Sequence, residues 1–358
     1  MPTCQKPFII RRRDRRVGPP FEREDMFNLS ELVEGAETIG IAGHVRPDGD
    51  AVGSTLALYN YLKKVWPEKK VTLFLEHPAE IFADLKGFDE IQWPVKLDPA
   101  NFMGEKQEFE SLDLFIAMDL GDLGRLGLAG EYFTRAKTTA CIDHHISNTG
   151  FGRYTYIVPT ASSTSELVFE LIDEDKIDVD IAKCLYTGII HDTGVMQYSN
   201  TSRRTLEIVG KLIDFGFDFT DIIDRTFYEK TYLQNQIMGR AVMESILFMD
   251  GRCIASVVDH KVMEFYNAKN TDFEGIVNQL LHTKGVDVAI FMYESSHEQL
   301  LYKVSMRSND KVDVSKIAQL FGGGGHKKAA GFSMTGTYHD ILNNISEQIE
   351  RQLNEKRN

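Results

Sequence analysis

The sequence predicts an α/β protein of two domains, and three observations carry that reading. Short apolar runs alternate with longer helical patterns through the first two thirds of the chain, as in βαβ units around a parallel sheet. The last third changes character and becomes richer in strand-type runs. A length of 358 residues suits about two domains rather than one. The expected architecture is an N-terminal, mostly parallel sheet flanked by helices, with a second, smaller α/β domain joined by a helical linker.

Order is expected from Asn28, where Asn28, Ser30 and Glu31 offer capping groups to a short helix. Residues 38–42 form an apolar strand-type run that ends in the polar stretch from His44 to Asp50, and a helical pattern covers 51–65. Further strand-type runs lie at 71–75, 114–118 and 139–142. The apolar run 185–190, which leads into His191-Asp192-Thr193-Gly194, is read as one more strand-type run. From 217 to 243 the pattern is helical and polar, with 226–240 expected to be the linker. Strand-type runs at 253–258, 288–293 and 301–306, and helical patterns at 273–281 and 314–321, build the second domain over 241–345. Residues 338–358 read as a terminal helix, with 346–358 as its charged end.

Composition narrows the function. Hydrophobic residues make up 42% and charged residues 26%, an ordinary globular mixture. A formal charge of -13 argues against a long duplex as partner, while a short nucleic acid in a small basic groove remains compatible. Cys4, Cys141, Cys184 and Cys253 form no CxxC pair, which argues against a zinc ribbon and fits a reducing, cytoplasmic compartment. No apolar run reaches the roughly 18 residues of a membrane span, and no membrane partner is expected. Arg11, Arg12, Arg13, Arg15 and Arg16 are followed by Gly18, Pro19 and Pro20 rather than by an apolar core, so residues 1–27 are expected to be a flexible basic arm and not a signal peptide, with an arm that touches nucleic acid as the alternative.

Acidic and imidazole side chains recur at the ends of the apolar runs, where open α/β sheets bind ligands. His44, Asp48 and Asp50 follow the first, Asp119 the third, Asp143-His144-His145 the fourth, and Asp192 the run 185–190. Each motif alone has a bland explanation: a helix N-cap for Asp48, a loop carboxylate for Asp119, a local hydrogen-bond network for the paired histidines. Their joint recurrence does not. Nitrogen and oxygen donors of this kind suit Mn2+ or Mg2+ rather than thiolate-bound zinc. Two such ions roughly 3.5–4 Å apart clamp a phosphoryl group, and their charge calls for several carboxylates. His145 and Arg125 are candidates to contact phosphoryl oxygens. In the second domain, the glycines Gly322, Gly323, Gly324 and Gly325 ahead of His326, Lys327 and Lys328 suggest a backbone anion nest; a helix C-cap at Gly322 is the alternative. Arg307 and Ser308, at a strand end, are expected beside it. Phe332 and Tyr198 could stack a base, but core packing is the first expectation for both.

The stretch from His44 to Ser54, Asp119, Asp143-His144-His145 and Asp192 resemble, in order and spacing, the four motifs of the DHH phosphoesterases. The run from Gly322 to Gly331 resembles the signature of the DHH-associated substrate domain. The resemblance covers about residues 28–345 and points to the two-domain branch of nano-RNases and pAp phosphatases. Exonucleases, cyclic-di-AMP phosphodiesterases and exopolyphosphatase-related proteins are relatives of that branch. It implies a catalytic domain at 28–225 and a first metal on His44, Asp48 and Asp119. A second would lie on Asp50, Asp119, His144 and Asp192, with Asp119 as the bridge. Asp143 would orient an imidazole and His145 would face the scissile phosphate. Gly323, Gly324, Gly325, His326, Arg307 and Ser308 would bind substrate. The implied cofactor is a pair of divalent ions, Mn2+ foremost, with Mg2+ or Co2+ as alternatives. The implied reaction is hydrolysis of short oligoribonucleotides and of 3'-phosphoadenosine 5'-phosphate (pAp). Hydrolysis of pApA or cyclic-di-AMP, or of pyrophosphate or polyphosphate, uses the same metals. A non-catalytic nucleic-acid-binding module is the reading from another class. A homodimer is left open.

Overall fold

A computed structural model of the chain describes residues 27–93, 109–295, 300–309 and 311–355. The arginine-rich arm expected at the N-terminus and Cys4 lie outside the described residues. The chain divides into two units between Glu229 and Lys230.

The first unit opens on α1 (Leu29–Glu34), whose N-cap Asn28 accepts a hydrogen bond from the Glu31 amide. Its strands are β1 (Thr38–Ala42), β2 (Lys70–Phe74), β3 (Leu114–Met118), β4 (Thr138–Asp143) and β5 (Tyr154–Ile157). They form one parallel sheet in the order β2-β1-β3-β4-β5. The chain leaves β1 toward one edge and returns to build toward the other, so β1 and β3 are neighbours across the reversal of strand order. Such a switch point opens a crevice at the carboxyl ends of the two strands.

Helices cover both faces of this sheet. They are α2 (Gly49–Val65), α3 (Gly130–Arg135), α4 (Thr164–Leu171), α5 (Val179–Asp192), α6 (Arg203–Ile213) and α7 (Phe219–Ile223). Ile39, Ile41, Leu73, Ile116 and Ile142 pack with the apolar residues of α2, α4 and α5 in the larger core. Ala42, Phe74, Phe115 and Ala117 point the other way, onto Leu126 and Phe133. That alternation is the two-residue period of a strand buried on both faces.

One expectation needs correction here. Residues 185–190 are not a strand: they belong to α5, which is buried along most of its length. A fully buried helix loses its polar stripe, so a short apolar window cannot be told from a buried strand. Asp192 therefore sits at the carboxyl end of a helix.

The second unit begins at Lys230. Its helices are α8 (Tyr232–Met243), α9 (His260–Tyr266), α10 (Ile276–Leu281), α11 (Val314–Leu320) and α12 (Tyr338–Glu355). Its strands are β6 (Ile246–Phe248), β7 (Cys253–Val258), β8 (Val288–Glu294), β9 (Leu301–Ser308), β10 (Gly324–His326) and β11 (Ala329–Thr335), in the order β10-β11-β9-β8-β7-β6. Among the described residues of this unit, only β7 and β8 pair in parallel. Val288, Ile290 and Met292 face α11 and α12, while Ala289 and Phe291 face α8, α9 and α10.

The linker boundary also shifts. Residues 224–228 form a π-helical turn that ends the first unit, and α8 is not a free linker. Ile237 and Ala241 of α8 are buried against Ile254 and Phe273. The terminal helix expected from 338 is α12, which runs to Glu355, and Ile349 and Leu353 of its charged end are part of the core. Both helices carry their apolar residues at spacings of three to four among many polar ones, which makes them look solvated in sequence.

Candidate metal centre

The carboxyl end of β1 delivers His44, and the following turn delivers Asp48 and Asp50. Asp48 is the N-cap of α2: its Oδ1 accepts from the Asp50 and Ala51 amides at 3.1 and 3.2 Å. Its Oδ2 lies 3.6 Å from His44 Nε2. The cap and ligand readings are thus both met by one carboxylate, one oxygen serving each. Burial opposes ionisation of Asp48, but the His44 imidazole and the two amides outweigh it and hold the carboxyl well below its usual range.

Asp119 follows β3 in a left-handed backbone conformation, φ 58°. A non-glycine residue there carries strain, which is tolerated where the surroundings fix it. Here the Asp119 amide donates to the Ile142 carbonyl at 3.1 Å. The side chain is buried, and its two oxygens face different groups. Oδ2 lies 3.8 Å from His44 Nε2. Oδ1 lies 3.6 Å from His144 Nε2 and 3.7 Å from His145 Nδ1. Burial, with Asp50, Asp48, Asp192 and Asp143 close by, pushes the Asp119 carboxyl well above its usual range.

Asp192, at the end of α5, approaches His144 Nε2 to 3.4 Å. Burial and the neighbouring acids Asp50, Asp48 and Asp143 push its carboxyl up to about 8. Asp50 is buried and also raised, chiefly by burial. It is held by the N-terminus of α4, where the Thr164 amide donates to Oδ2 at 2.6 Å and the Ser165 amide to Oδ1 at 3.0 Å. Two close helix contacts make this possible. A Cβ on Gly53 would fall 2.5 Å from the Cys184 carbonyl oxygen, and one on Gly188 would fall 1.9 Å from Ser165 Oγ and 2.7 Å from Asp50 Oδ1.

Three sets of ligand atoms lie close enough to hold a cation: His44, Asp48 and Asp119; Asp50, His144 and Asp192; and Asp119, His144 and His145. The first two, joined through Asp119, contain every residue expected as a metal ligand. The donor set fits hard divalent cations: carboxylate oxygens and imidazole nitrogens, with three raised carboxyls that a cation would hold ionised.

His145 takes a different role from His144. Its Nδ1 is 2.8 Å from Asp143 Oδ1. Asp143 is fully buried, and its Oδ2 accepts from Asn148 Nδ2 at 2.6 Å. Burial disfavours a charged imidazole at His145, yet the Asp143 hydrogen bond and charge prevail and raise its pKa. The ring is fixed with Nε2 as its free end. Arg125 Nη2 lies 2.9 Å from His44 Nδ1, which places a guanidinium at the first ligand set. His191, though next to Asp192, is not a ligand: it packs by Phe82 and Phe227, its Nε2 meets Thr226 Oγ1 at 2.9 Å, and burial lowers its pKa to about 4.

The sequence reading passed over the segment Ser162–Glu166, which is buried and polar throughout. Glu166 Oε2 accepts from Ser162 Oγ at 2.6 Å and from Thr205 Oγ1 at 2.7 Å. Asn200 Nδ2 donates to the carbonyls of Ser162 and Asp192 at 2.8 and 3.0 Å. The only signal was five consecutive polar residues ahead of an apolar helix, which reads as a cap.

In the second unit the glycine run is not a nest: the Gly322 and Gly323 amides donate to the Gln319 and Ala318 carbonyls at 3.2 and 2.8 Å, and Gly324 and Gly325 begin an edge strand. Gly324, Gly325 and His326 pair antiparallel with Gly331, Ala330 and Ala329. In an extended strand successive N–H groups point to opposite sides, so they cannot converge on one anion. The glycines serve close backbone approach: a Cβ on Gly323 would lie 2.2 Å from the Gly331 oxygen, and Gly325 has φ 141°. Gly322 does follow the end of α11, with φ 76°. The Ser308 hydroxyl is buried and donates to the Val312 carbonyl at 2.7 Å. Arg307 Nη1 donates to the Met306 carbonyl at 3.0 Å. His326 is exposed. Phe332 is a core residue, whereas Tyr198 is half exposed in the loop after Asp192.

Residues 38–189 match the DHH family, N-terminal domain, and residues 250–355 match the DHHA1 domain. The bifunctional oligoribonuclease and PAP phosphatase NrnA of Thermus thermophilus is 29% identical over 94% of this chain and 98% of its own length. Its Bacillus subtilis namesake is 25% identical over 83% and 90%. The crystal structure of an exopolyphosphatase-related protein from Bacteroides fragilis superimposes with a TM-score of 0.81 at 26% identity, over 92% of this chain and 96% of the other. The chain therefore carries a DHH N-terminal domain followed by a DHHA1 domain.

Proposed function

We propose that this protein is a two-metal phosphoester hydrolase that acts on short oligoribonucleotides and on pAp. The observation that carries the reading is the split of the Asp119 carboxylate between two ligand sets, Oδ2 toward His44 and Oδ1 toward His144. His44, Asp48 and Asp119 would hold one divalent cation; Asp50, Asp119, His144 and Asp192 the other. Bound there, the cations supply the charge that acidifies water and neutralises a phosphoryl group. The oxygen-rich donor set favours Mn2+, with Mg2+ and Co2+ as alternatives.

The remaining steps fall to the chain itself. The Asp143–His145 pair favours the charged imidazole, whose Nε2–H would be suited to donate to a phosphoryl oxygen or to the leaving oxygen. Arg125 brings fixed positive charge. In the second unit, Arg307, His326 and the backbone of Gly323, Gly324 and Gly325 would bind substrate, while the buried Ser308 hydroxyl donates to the Val312 and Lys327 carbonyls. The substrate preference rests on the NrnA relatives named above. Among the described residues no helix is long and apolar enough to cross a membrane, and Cys141, Cys184 and Cys253 are free thiols, which suits a reducing cytoplasm.

The test is turnover with Mn2+ on an RNA dinucleotide, pAp, pApA, cyclic-di-AMP and polyphosphate. Release of mononucleotide from the dinucleotide and of AMP from pAp is expected. Turnover of polyphosphate alone, or none on any of the five, would reject the proposal.

A further inference from the structure

Thr164 touches both ligand sets. It is the first residue of α4 and is fully buried. Its amide donates to Asp50 Oδ2 at 2.6 Å, and its hydroxyl donates to Asp119 Oδ1 at 3.1 Å. The Asp119 oxygen it reaches is the one turned toward His144. A carboxylate oxygen has two lone pairs, so the hydroxyl can take one and leave the other for a cation. Without that bond the Asp119 carboxylate is free to rotate about its terminal torsion, which is broad for Asp. Rotation would exchange the oxygens between the ligand sets, or turn both away from one of them.

The hydroxyl has little freedom of its own. Ser163 caps α4 by accepting from the Glu166 amide at 3.0 Å. Glu166 is tied to Ser162 and to Thr205 of α6, and Asn200 ties the Ser162 carbonyl to that of Asp192. A threonine methyl and hydroxyl occupy the space of the two methyls of valine, so shape alone would not demand the oxygen. The hydroxyl is there to meet the carboxylate.

We propose that Thr164 is a positioning residue whose hydroxyl fixes the rotation of the bridging carboxylate and thereby allows two cations to be held together. The proposal rests on the two-metal reading above. Outer-shell groups of this kind typically contribute 10–100-fold in metal affinity or activity.

The test is Mn2+ titration of the full chain, with the number bound measured by equilibrium dialysis and the pair detected by its spin-coupled electron paramagnetic resonance spectrum. Thr164→Val should weaken binding of one of two ions by about 10–100-fold and abolish the coupled spectrum at two equivalents of metal. Thr164→Ser, which restores the hydroxyl, should recover both. Should Thr164→Val fail to fold, Thr164→Ala carries the same expectation. Two tightly bound, coupled ions in Thr164→Val as in the wild type would overturn the role of Thr164 and leave the two-metal reading intact. Equal weakening by Val and Ser would overturn it as well. A wild-type chain that binds no coupled pair would overturn both.

Discussion

At the scale of residues, the centre is a set of carboxylates that the fold buries before any cation compensates them. Asp119 and Asp50 are raised by burial, and Asp192 is pushed up to about 8 by burial and its acidic neighbours. The sign of the consequence follows from proton counting. With folded pKa values above the unfolded value near 3.8, the metal-free fold holds more protons than the unfolded chain between about pH 4 and 8, so its stability falls as pH rises through that window. Cations replace those protons, so the rise in melting temperature on adding Mn2+ should be larger at pH 8 than at pH 5.5. Differential scanning fluorimetry at the two pH values checks this; an equal rise would contradict it. Asp143 acts through His145, so Asp143→Asn should lower kcat by roughly 10–100-fold with both ions still bound. Steady-state kinetics beside a metal count measures it. The candidate ligands were legible in the sequence because acids and imidazoles at the ends of apolar runs are few and chemically distinctive. Thr164, Glu166 and Asn200 were not, because a serine or threonine ahead of a helix is the ordinary signature of a cap. Only three-dimensional proximity separates the two roles.

At the scale of elements, seven strands were read from apolar runs bounded by polar turns, and β1, β3 and β7 fall where those runs placed them, while β5, β6, β10 and β11 gave no such run and were missed. The readings that changed share a cause: periodicity reports burial, not backbone. Buried α5 imitated a strand, and the polar-rich α8 imitated a linker. The glycine run was chemically conspicuous but served backbone approach in a hairpin. The packing of α5 against α2 and α4 sets the position of Asp50, and Gly188 leaves no room there for a side chain. Gly188→Ala should destabilise the chain by about 1–3 kcal/mol through overpacking. It should also weaken Mn2+ binding, because the new methyl meets Asp50 Oδ1 as well as Ser165. Urea denaturation and metal titration read the two effects. A neutral result on both would show that α2 and α5 can separate at no cost.

At the scale of the whole molecule, the chain combines a parallel sheet that carries the metal centre with a mixed sheet of its own core. Both units depend on elements near their ends. Ile349→Ala should cost about 2–5 kcal/mol in the second unit, since Ile349 is fully buried in its core. Loss of that unit's cooperative unfolding in a chain cut after residue 345 would agree, and an unchanged melt would contradict it. The first unit's topology explains why chemistry gathers at one edge: β1 and β3 flank the point where strand order reverses, and α4 and α5 bring Thr164 and Asp192 to it. The central claim is that Asp119 is shared by two cations in that crevice. The most direct measurement is anomalous diffraction from crystals grown with Mn2+. Two peaks roughly 3.5–4 Å apart are predicted, one against His44 and Asp48 and the other against Asp50, His144 and Asp192, with Asp119 between them. A single peak, or a pair that leaves Asp119 out, would contradict the account.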